Sequence, residues 1–412
     1  MKQGIIWVFV WTIFSFTLQT DDAKEAILQQ NFQRAEDQYH SMLQAIGSQQ
    51  KLPRSVNDEG TLKLTDIDDW TTGFWPGSLW LLYEYTKEPR WKNAAEKYTH
   101  YLEANQFNTE HHDIGFMMYC SYGNGLRLTK NPSYQKILVQ SAQSLCKRFN
   151  EKVGCIKSWN DKPSWDGTTI MHYPVIIDNM MNLELLFFAS KVTGDPIFKN
   201  IAIRHATTTM KYHLRKDYSS YHVVDYDTAT GKVLHQETNQ GYAHASTWAR
   251  GQAWGIYGFT MTYRETRQAS FLQTAQRMAD YYIFNPNLPE DKIAPWDFNA
   301  LQKGFVAPPL SKASHITSIK RDVSAAAVTA SALMELSTYP GKNRKKYYET
   351  GVAILKALSS KNYLADKGNN HNFLLMHSVG SIPHGFEVDQ PLIYADYYFL
   401  EGLMRWKAYR TN

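Results

Sequence analysis

The chain has 412 residues, enough for one large domain or two to three ordinary ones. Its 43% hydrophobic and 20% charged residues, with no low-complexity tract, exclude a disordered or fibrous protein. The net charge of +5 is spread without a basic cluster or arginine-rich arm, which argues against a nucleic-acid partner and leaves an acidic small substrate allowed.

In chain order, Met1-Lys2-Gln3-Gly4 supplies one positive charge and residues 5–18 carry none. That apolar run is short for the ~30 Å of a bilayer's hydrocarbon, so residues 1–20 are expected to be a signal peptide, with a single N-terminal anchor as the alternative. The mature chain, residues 21–412, is then exported, as to a periplasm, and not stably inserted in a membrane once the segment is removed. Cys120, Cys146 and Cys155 allow at most one disulfide, match no zinc spacing and read as packing residues.

Past residue 20 strand-like alternation is confined to residues 221–227 and 231–236. Elsewhere one unit recurs: an apolar helix with small residues, a short turn containing Thr, Gly, Pro or Asn, then an amphipathic charged helix. The pairs run from residue 74 through Thr86-Lys87-Glu88-Pro89 into 91–103, from 114–128 through Thr129-Lys130-Asn131-Pro132 into 134–149, and from 179–191 through Thr193-Gly194-Asp195-Pro196 into 198–214. Two more join 249–266 to 271–283 and 324–336 to 344–358. A helix at 23–46 has no partner before it, and one at 391–406 has none after it. If those two pair, six helical hairpins close into an all-α (α/α)6 barrel, since hairpins that cannot bury an apolar face alone must stack on neighbours. An open superhelical solenoid is the competing architecture.

Unusual residues gather just before the apolar helices: Trp70 and Trp75, His112-Asp113, Asp178, Trp248 and Arg250, Asp322, and Asp389. In a closed ring these segments share one end and converge on a central cavity, where helix N-termini favour an anion. Aspartate is also a preferred N-cap, and for Asp322 and Asp389 that is the expected role. Asp113 follows two histidines and precedes a glycine, while Asp178 follows Ile176-Ile177. A carboxyl in apolar surroundings near a second acid has its pKa raised, as a general acid near neutral pH requires, and a carboxylate pair fits glycoside chemistry. Trp248 and Trp254, six apart, are expected to face different sides of one helix, and Arg250 at an entrance is expected to hold a carboxylate.

The segments Gly73-Phe74-Trp75-Pro76-Gly77, His112-Asp113-Ile114-Gly115-Phe116, Ile177-Asp178-Asn179-Met180-Met181-Asn182 and Trp248-Ala249-Arg250-Gly251-Gln252-Ala253-Trp254-Gly255 resemble the motif series of glycoside hydrolase family 88, the unsaturated glucuronyl hydrolases. Arg321-Asp322-Val323-Ser324-Ala325-Ala326, Ile382-Pro383-His384-Gly385 and Asp396-Tyr397-Tyr398 continue it, so the likeness spans residues 60–405. The resemblance implies the (α/α)6 barrel. It places the general acid/base on Asp178, a second essential aspartate on Asp113, and substrate contacts on Trp75, His112, His222, Gln240, Trp248, Arg250 and Trp254. It also points to Trp159, with Trp165 as the nearby alternative. Ser378 and Ser381 fall where relatives that accept sulfated sugars carry serines, but Pro383 stands where a lysine is expected.

The implied reaction is hydration of the C4=C5 vinyl ether that polysaccharide lyases leave in a terminal uronic acid, with no cofactor or metal. The implied partner is an unsaturated oligosaccharide, taken by a monomer or weak dimer. Two rivals stand beside this reading. One is an unsaturated rhamnogalacturonyl hydrolase acting on pectin fragments, and the other a non-catalytic carbohydrate-binding toroid.

Overall fold

The structure, a computed structural model, describes the backbone of residues 4–409 and the side chains of residues 22–409. The signal-peptide expectation for residues 1–20 falls outside the described side chains. The helices are α1 (Gly4–Ile46), α2 (Phe74–Thr86), α3 (Pro89–Tyr101), a π-helix (Gly115–Gly123) running straight into α4 (Asn124–Thr129), α5 (Pro132–Cys146), α6 (Leu183–Thr193) and α7 (Pro196–Tyr212). They continue as α8 (Ala249–Thr266), α9 (Ala269–Ile283), α10 (Val323–Leu336), α11 (Arg344–Leu358) and α12 (Ile393–Ala408).

A local device repeats at four inner-to-outer turns. The inner helix ends on a threonine whose Oγ1 accepts the N–H two residues on: Thr86 from Glu88, Thr129 from Asn131, Thr193 from Asp195 and Thr266 from Gln268. The residue between is left-handed, namely Lys87, Lys130, Gly194 and Arg267, and its N–H satisfies a carbonyl of the last turn. Three of the outer helices then start with proline in the first turn, where no donor is lost.

The apolar helices α2, α4, α6, α8, α10 and α12 form the inner ring. The last of them, α12, packs against both α10 and α2, so the ring is closed and the open solenoid is excluded. α1 lies against α12 and α2, the outer partner that the unpaired terminal helices predicted. The three cysteines are free, Cys155 being fully buried, in keeping with packing roles.

Strands decorate one end of the ring. β1 (Leu52–Val56) pairs with β2 (Leu62–Thr65), β3 (Phe149–Asn150) with β4 (Cys155–Ile156), and β5 (Lys162–Pro163) with β6 (Ile170–Met171), all antiparallel. β7 (Pro174–Ile176), β8 (Val223–Tyr226) and β9 (Val233–Glu237) make a three-stranded sheet. β10 (Ser378–Ser381) pairs with β11 (Phe386–Gln390).

Two inner helices depart from the regular α-helices expected. Residues 177–182 form a 3₁₀ turn before α6, and residues 115–123 are wound as a π-helix. Gly115 explains part of the second: a Cβ there would sit 2.4 Å from Asn182 Cα, and the freed Phe116 N–H is taken by Asn182 Oδ1 at 2.9 Å. Both irregular turns lie next to the two aspartates singled out by sequence.

Candidate active site

At the strand-decorated end a cavity of about 300 Å³ opens between the inner helices, lined by Asp113 and Asp178 together with Trp70, Trp159, Lys162, Gln240, Arg250, His384 and Tyr394. Local geometry fixes Asp178. β7 delivers Ile177, whose N–H bonds His222 O at 3.0 Å, and β7 pairs with β8 so that Ile176 faces Val223. His222 is thereby set with Nε2 3.6 Å from Asp178 Oδ2. The backbone N–H groups of Asn239 and Gln240 donate to His222 Nδ1 at 3.2 and 3.1 Å, so the neutral ring carries its proton on Nε2, toward Asp178. Burial, followed by the charges of Lys162 and Arg250, holds His222 well below its ordinary pKa.

Asp113 has the opposite company. His112 Nε2 lies 3.3 Å from Oδ1, and His111 Nδ1 lies 3.4 Å from Oδ2. Ser158 and Asn182 approach His112 Nδ1, each at 3.4 Å, leaving Nε2 to face the carboxylate. Burial pushes the Asp113 carboxyl up, yet His112 and then His111 more than offset it, and it ends below the usual carboxylate range. Burial likewise keeps His112 neutral, with its pKa pulled down to about 4. Burial dominates at Asp178: it outweighs the attraction of Arg250, is reinforced by the charge of Asp113, and lifts the carboxyl to about 7.

Around the two carboxyls, Asp178 Oδ2, His112 Nε2, His222 Nε2, Trp248 Nε1 and Trp254 Nε1 are buried without a hydrogen-bond partner among the described residues. Each buried orphan forfeits its solvation; others lie elsewhere in the barrel, but these stand beside a cavity that holds a carboxyl pair.

The structure sorts the expected residues into three groups. Asp113, Asp178, Trp159, Gln240 and Arg250 line the cavity; the alternative ring, Trp165, is not among its lining residues and packs at a tilt against His384, centroids 4.9 Å apart. His112, His222, Trp248 and Trp254 stand directly behind. Trp248 stacks on His222 at 4.3 Å, and Trp254 packs on Phe116 and Tyr398 with its indole beside Asp178. Trp75, Ser378 and Ser381 are not among the lining residues either, and their surroundings differ from a cavity wall. Trp75 points into the layer between inner and outer helices, edge-on to Tyr39 of α1 and Tyr98 of α3. Both serines are fully buried on β10, and Ser381 Oγ bonds His384 Nδ1 at 2.7 Å, acting on the cavity only through that ring.

Arg250 departs from its expected role as well. Its guanidinium is 1% exposed, donates to Asp322 Oδ2 at 2.9 Å, Ser324 Oγ at 3.1 Å and Gly380 O at 2.8 Å, and also bonds Val379 O. Its charge is neutralised by Asp322, so it is a wall and a strut before it is a carboxylate clamp. Asp322 caps α10 through Ser324 N as expected while taking this second role. Asp389 caps nothing: it sits on β11, paired with Lys320 and His377.

Sequence reasoning missed the lining residues Arg54, Lys162 and Glu387. Arg54 on β1 is paired with Asp69 and, across the barrel mouth, with Glu387 on β11. No local pattern signals partners so distant in sequence.

Residues 47–287 match the profile described as Glycosyl Hydrolase Family 88. The chain is 44% identical over 339 residues to the unsaturated glucuronyl hydrolase of Formosa agariphila, covering 82% of this chain and 80% of that protein. It superposes on the crystal structure of an unsaturated glucuronyl hydrolase specific for heparin with a TM-score of 0.85 and 44% identity, covering 93% of this chain and 98% of the other. A variant of the Streptococcus agalactiae enzyme complexed with dGlcA-GalNAc6S aligns with a TM-score of 0.74 at 28% identity, over 93% and 92% of the two chains.

Proposed function

The chain belongs to glycosyl hydrolase family 88, and from that premise we infer that it is a glycoside hydrolase releasing the 4,5-unsaturated uronic acid from the non-reducing end of lyase-generated glycosaminoglycan oligosaccharides. The observation that carries the catalytic reading is the split between two nearby carboxyls, one pushed up to about 7 and the other held low.

Asp178, protonated at neutral pH, gives its proton to C4 of the vinyl ether, and positive charge develops over C5 and the ring oxygen. Asp113, ionised, stabilises that charge and by repulsion favours the proton on Asp178. The Asp178 carboxylate then takes a proton from the water that adds to C5. The resulting hemiketal opens and the bond to the neighbouring sugar breaks. Neutral His222, with its Nε2 proton facing Asp178, can steady the carboxylate between the two proton transfers without holding it permanently charged. Disappearance of the ultraviolet absorbance of the C4=C5 bond, measured on unsaturated heparin, chondroitin and hyaluronan disaccharides, tests the reaction and ranks the substrates. An unchanged signal with all three overturns it.

Export remains part of the proposal and rests on the uncharged run at residues 5–18. N-terminal sequencing of protein recovered from the periplasm tests it.

A further inference from the structure

The two carboxyls sit on different segments of the chain, and one buried serine touches both. Ser158, fully buried between β4 and β5, accepts the His112 N–H on its carbonyl at 3.1 Å and donates its own N–H to Pro174 O at 2.9 Å. Pro174 opens β7, so the Ser158 backbone joins the residue before Asp113 to the strand that delivers Asp178. The next residue, Trp159, lines the cavity.

The hydroxyl adds a second link, and its capacity fixes which way it points. A serine hydroxyl has one proton and two lone pairs. It accepts the Ile176 N–H at 2.9 Å and faces Asn179 Nδ2 at 3.5 Å, an amide oriented by Ile156 O at 2.8 Å. The O–H proton is left for His112 Nδ1, 3.4 Å away. Asn182 approaches the same nitrogen at 3.4 Å, and since its Oδ1 accepts the Phe116 N–H at 2.9 Å, its amino edge faces the ring. Two donors at Nδ1 put the ring proton on Nε2, which faces Asp113 Oδ1 at 3.3 Å.

We propose that Ser158 is a positioning residue for the reaction: one hydroxyl holds the strand that carries Asp178 and sets the His112 tautomer that turns an N–H, not a lone pair, toward Asp113. In the opposite tautomer the Nε2 lone pair faces the Asp113 carboxylate. Burial pushes Asp113 up, and the His112 ring is the strongest influence that holds it low, so a flipped ring lets it rise. Asp178 is raised first by burial and then, against Arg250, by the charge of Asp113; a protonated Asp113 withdraws that part. The split between the carboxyls then narrows from both sides. The remaining groups that face them stay as they are when Ser158 is changed: His111 and Arg148 at Asp113, Arg250 and His222 at Asp178, and His205 beside His112.

The proposal rests on the glycoside hydrolase reading, and its test separates the two. Ser158→Ala removes the hydroxyl and keeps both backbone links. kcat should fall about tenfold, the lower end for a partner that fixes a histidine's tautomer because Asn182 still donates to Nδ1, while KM changes little with Trp159 in place. The pH–rate bell should narrow, its acid limb moving up and its alkaline limb down, and Ser158→Thr, which keeps the hydroxyl, should restore both limbs. His213→Ala is the structural control: His213 Nε2 bonds Val175 O at 3.0 Å, so its loss loosens β7 without touching His112. It should lower the melting temperature and leave both limbs in place. Independently of turnover, long-range proton–nitrogen spectra of histidine-labelled chain, with His112 assigned by its loss in His112→Gln, should show that ring protonated on Nε2 at neutral pH, and a fraction protonated on Nδ1 in Ser158→Ala. If no unsaturated substrate is turned over, the hydrolase reading falls and the spectra still decide the tautomer. His112 protonated on Nδ1 in the unsubstituted chain, or Ser158→Ala limbs that stay in place as in His213→Ala, overturn the proposal and leave Ser158 a strut for β7.

Discussion

The barrel has a cavity at each end of its inner helices, and the larger one is not where the chemistry gathers. The other cavity, about 760 Å³, is lined by residues of α2, the π-helix and α4, α6, α8 and α12, among them Glu84, Phe116, Arg127, Glu184, Tyr257, Glu401 and Arg405. Its carboxylates have cations: Glu84 with Arg127, Glu184 with Arg264, and Glu401 with Arg405, which also reaches Glu335. Tyr257 and Ser331 hydroxyls complete Glu401. The near cavity, at about 300 Å³, keeps Asp178 without a cation partner and surrounds it with unpaired N–H groups. Volume marks a ring closed by helices of limited bulk, whereas unmet electrostatics marks a site awaiting a ligand. A raised pKa alone does not suffice. Asp396 also reaches about 7 through burial, but both its oxygens accept backbone N–H groups, from Leu374 and Leu375, and it serves as an anchor.

Asp178→Asn leaves the shape of the near cavity intact and removes its proton donor, and it carries the largest expected effect. Turnover should fall by ~10²–10⁴-fold or more, since one group serves both proton transfers. Activity within tenfold of the original, read from the double-bond absorbance, would discard the assignment. The same variant should gain stability at alkaline pH. In the folded chain the carboxyl titrates near 7, above its unfolded value of 3.8, so the native state holds the extra proton between those values. Folding therefore loses stability as pH rises from about 3.8 to about 7 and levels off above, by ~4 kcal/mol in all at about 1.4 kcal/mol per pH unit. Thermal melts of both proteins at pH 3.5, 5 and 8 should show the gap widening from the lowest pH to the highest.

Asp113→Asn comes next, with an expected loss of ~10²–10³-fold from removing a stabilising charge beside the transition state. It should also shift the alkaline limb of the pH–rate profile downward, because the like charge that helps raise Asp178 is gone. In the original chain that profile is expected to be a bell, falling as Asp178 deprotonates near 7 and again at low pH as Asp113 takes up a proton. A limb that stays in place in the variant would uncouple the two carboxyls.

Arg250→Ala tests strut against clamp. Leaving Asp322 buried and unpaired should cost about 3–5 kcal/mol of stability, and Asp322→Asn in the same chain should return part of it. A variant that melts like the original but binds poorly would restore the clamp. The smallest effects belong to residues away from the near cavity. Trp75→Phe and, at the far end, Glu184→Gln should each leave kcat/KM within about twofold while lowering stability by about 1–3 kcal/mol. A tenfold loss of activity from Glu184→Gln would show that the two ends are coupled.

Much of this was legible in one dimension. The hairpins were written as apolar-then-amphipathic pairs, and the Thr-x-x-Pro turns carried their own left-handed residue and proline start, so helix number, order and layer followed from periodicity and local hydrogen bonding. Asp113 and Asp178 stood out because their immediate neighbours, His111-His112 on one side and Ile176-Ile177 on the other, already forecast opposite environments. Trp75 was misplaced because a tryptophan at a helix start carries no mark of which way it turns; Tyr39 and Tyr98 decide that from two other helices. Arg250 was misread for the same reason, its neutralising partner Asp322 being 72 residues away. The sequence by itself therefore determined the repeating unit and the two carboxyls, since both are set by contacts a few residues apart. Ring closure, the neutral histidine aimed at Asp178 and the spent charge of Arg250 depend on the tertiary structure alone. Each depends on which distant side chains burial brings together, and the strength of an electrostatic interaction is fixed by that burial.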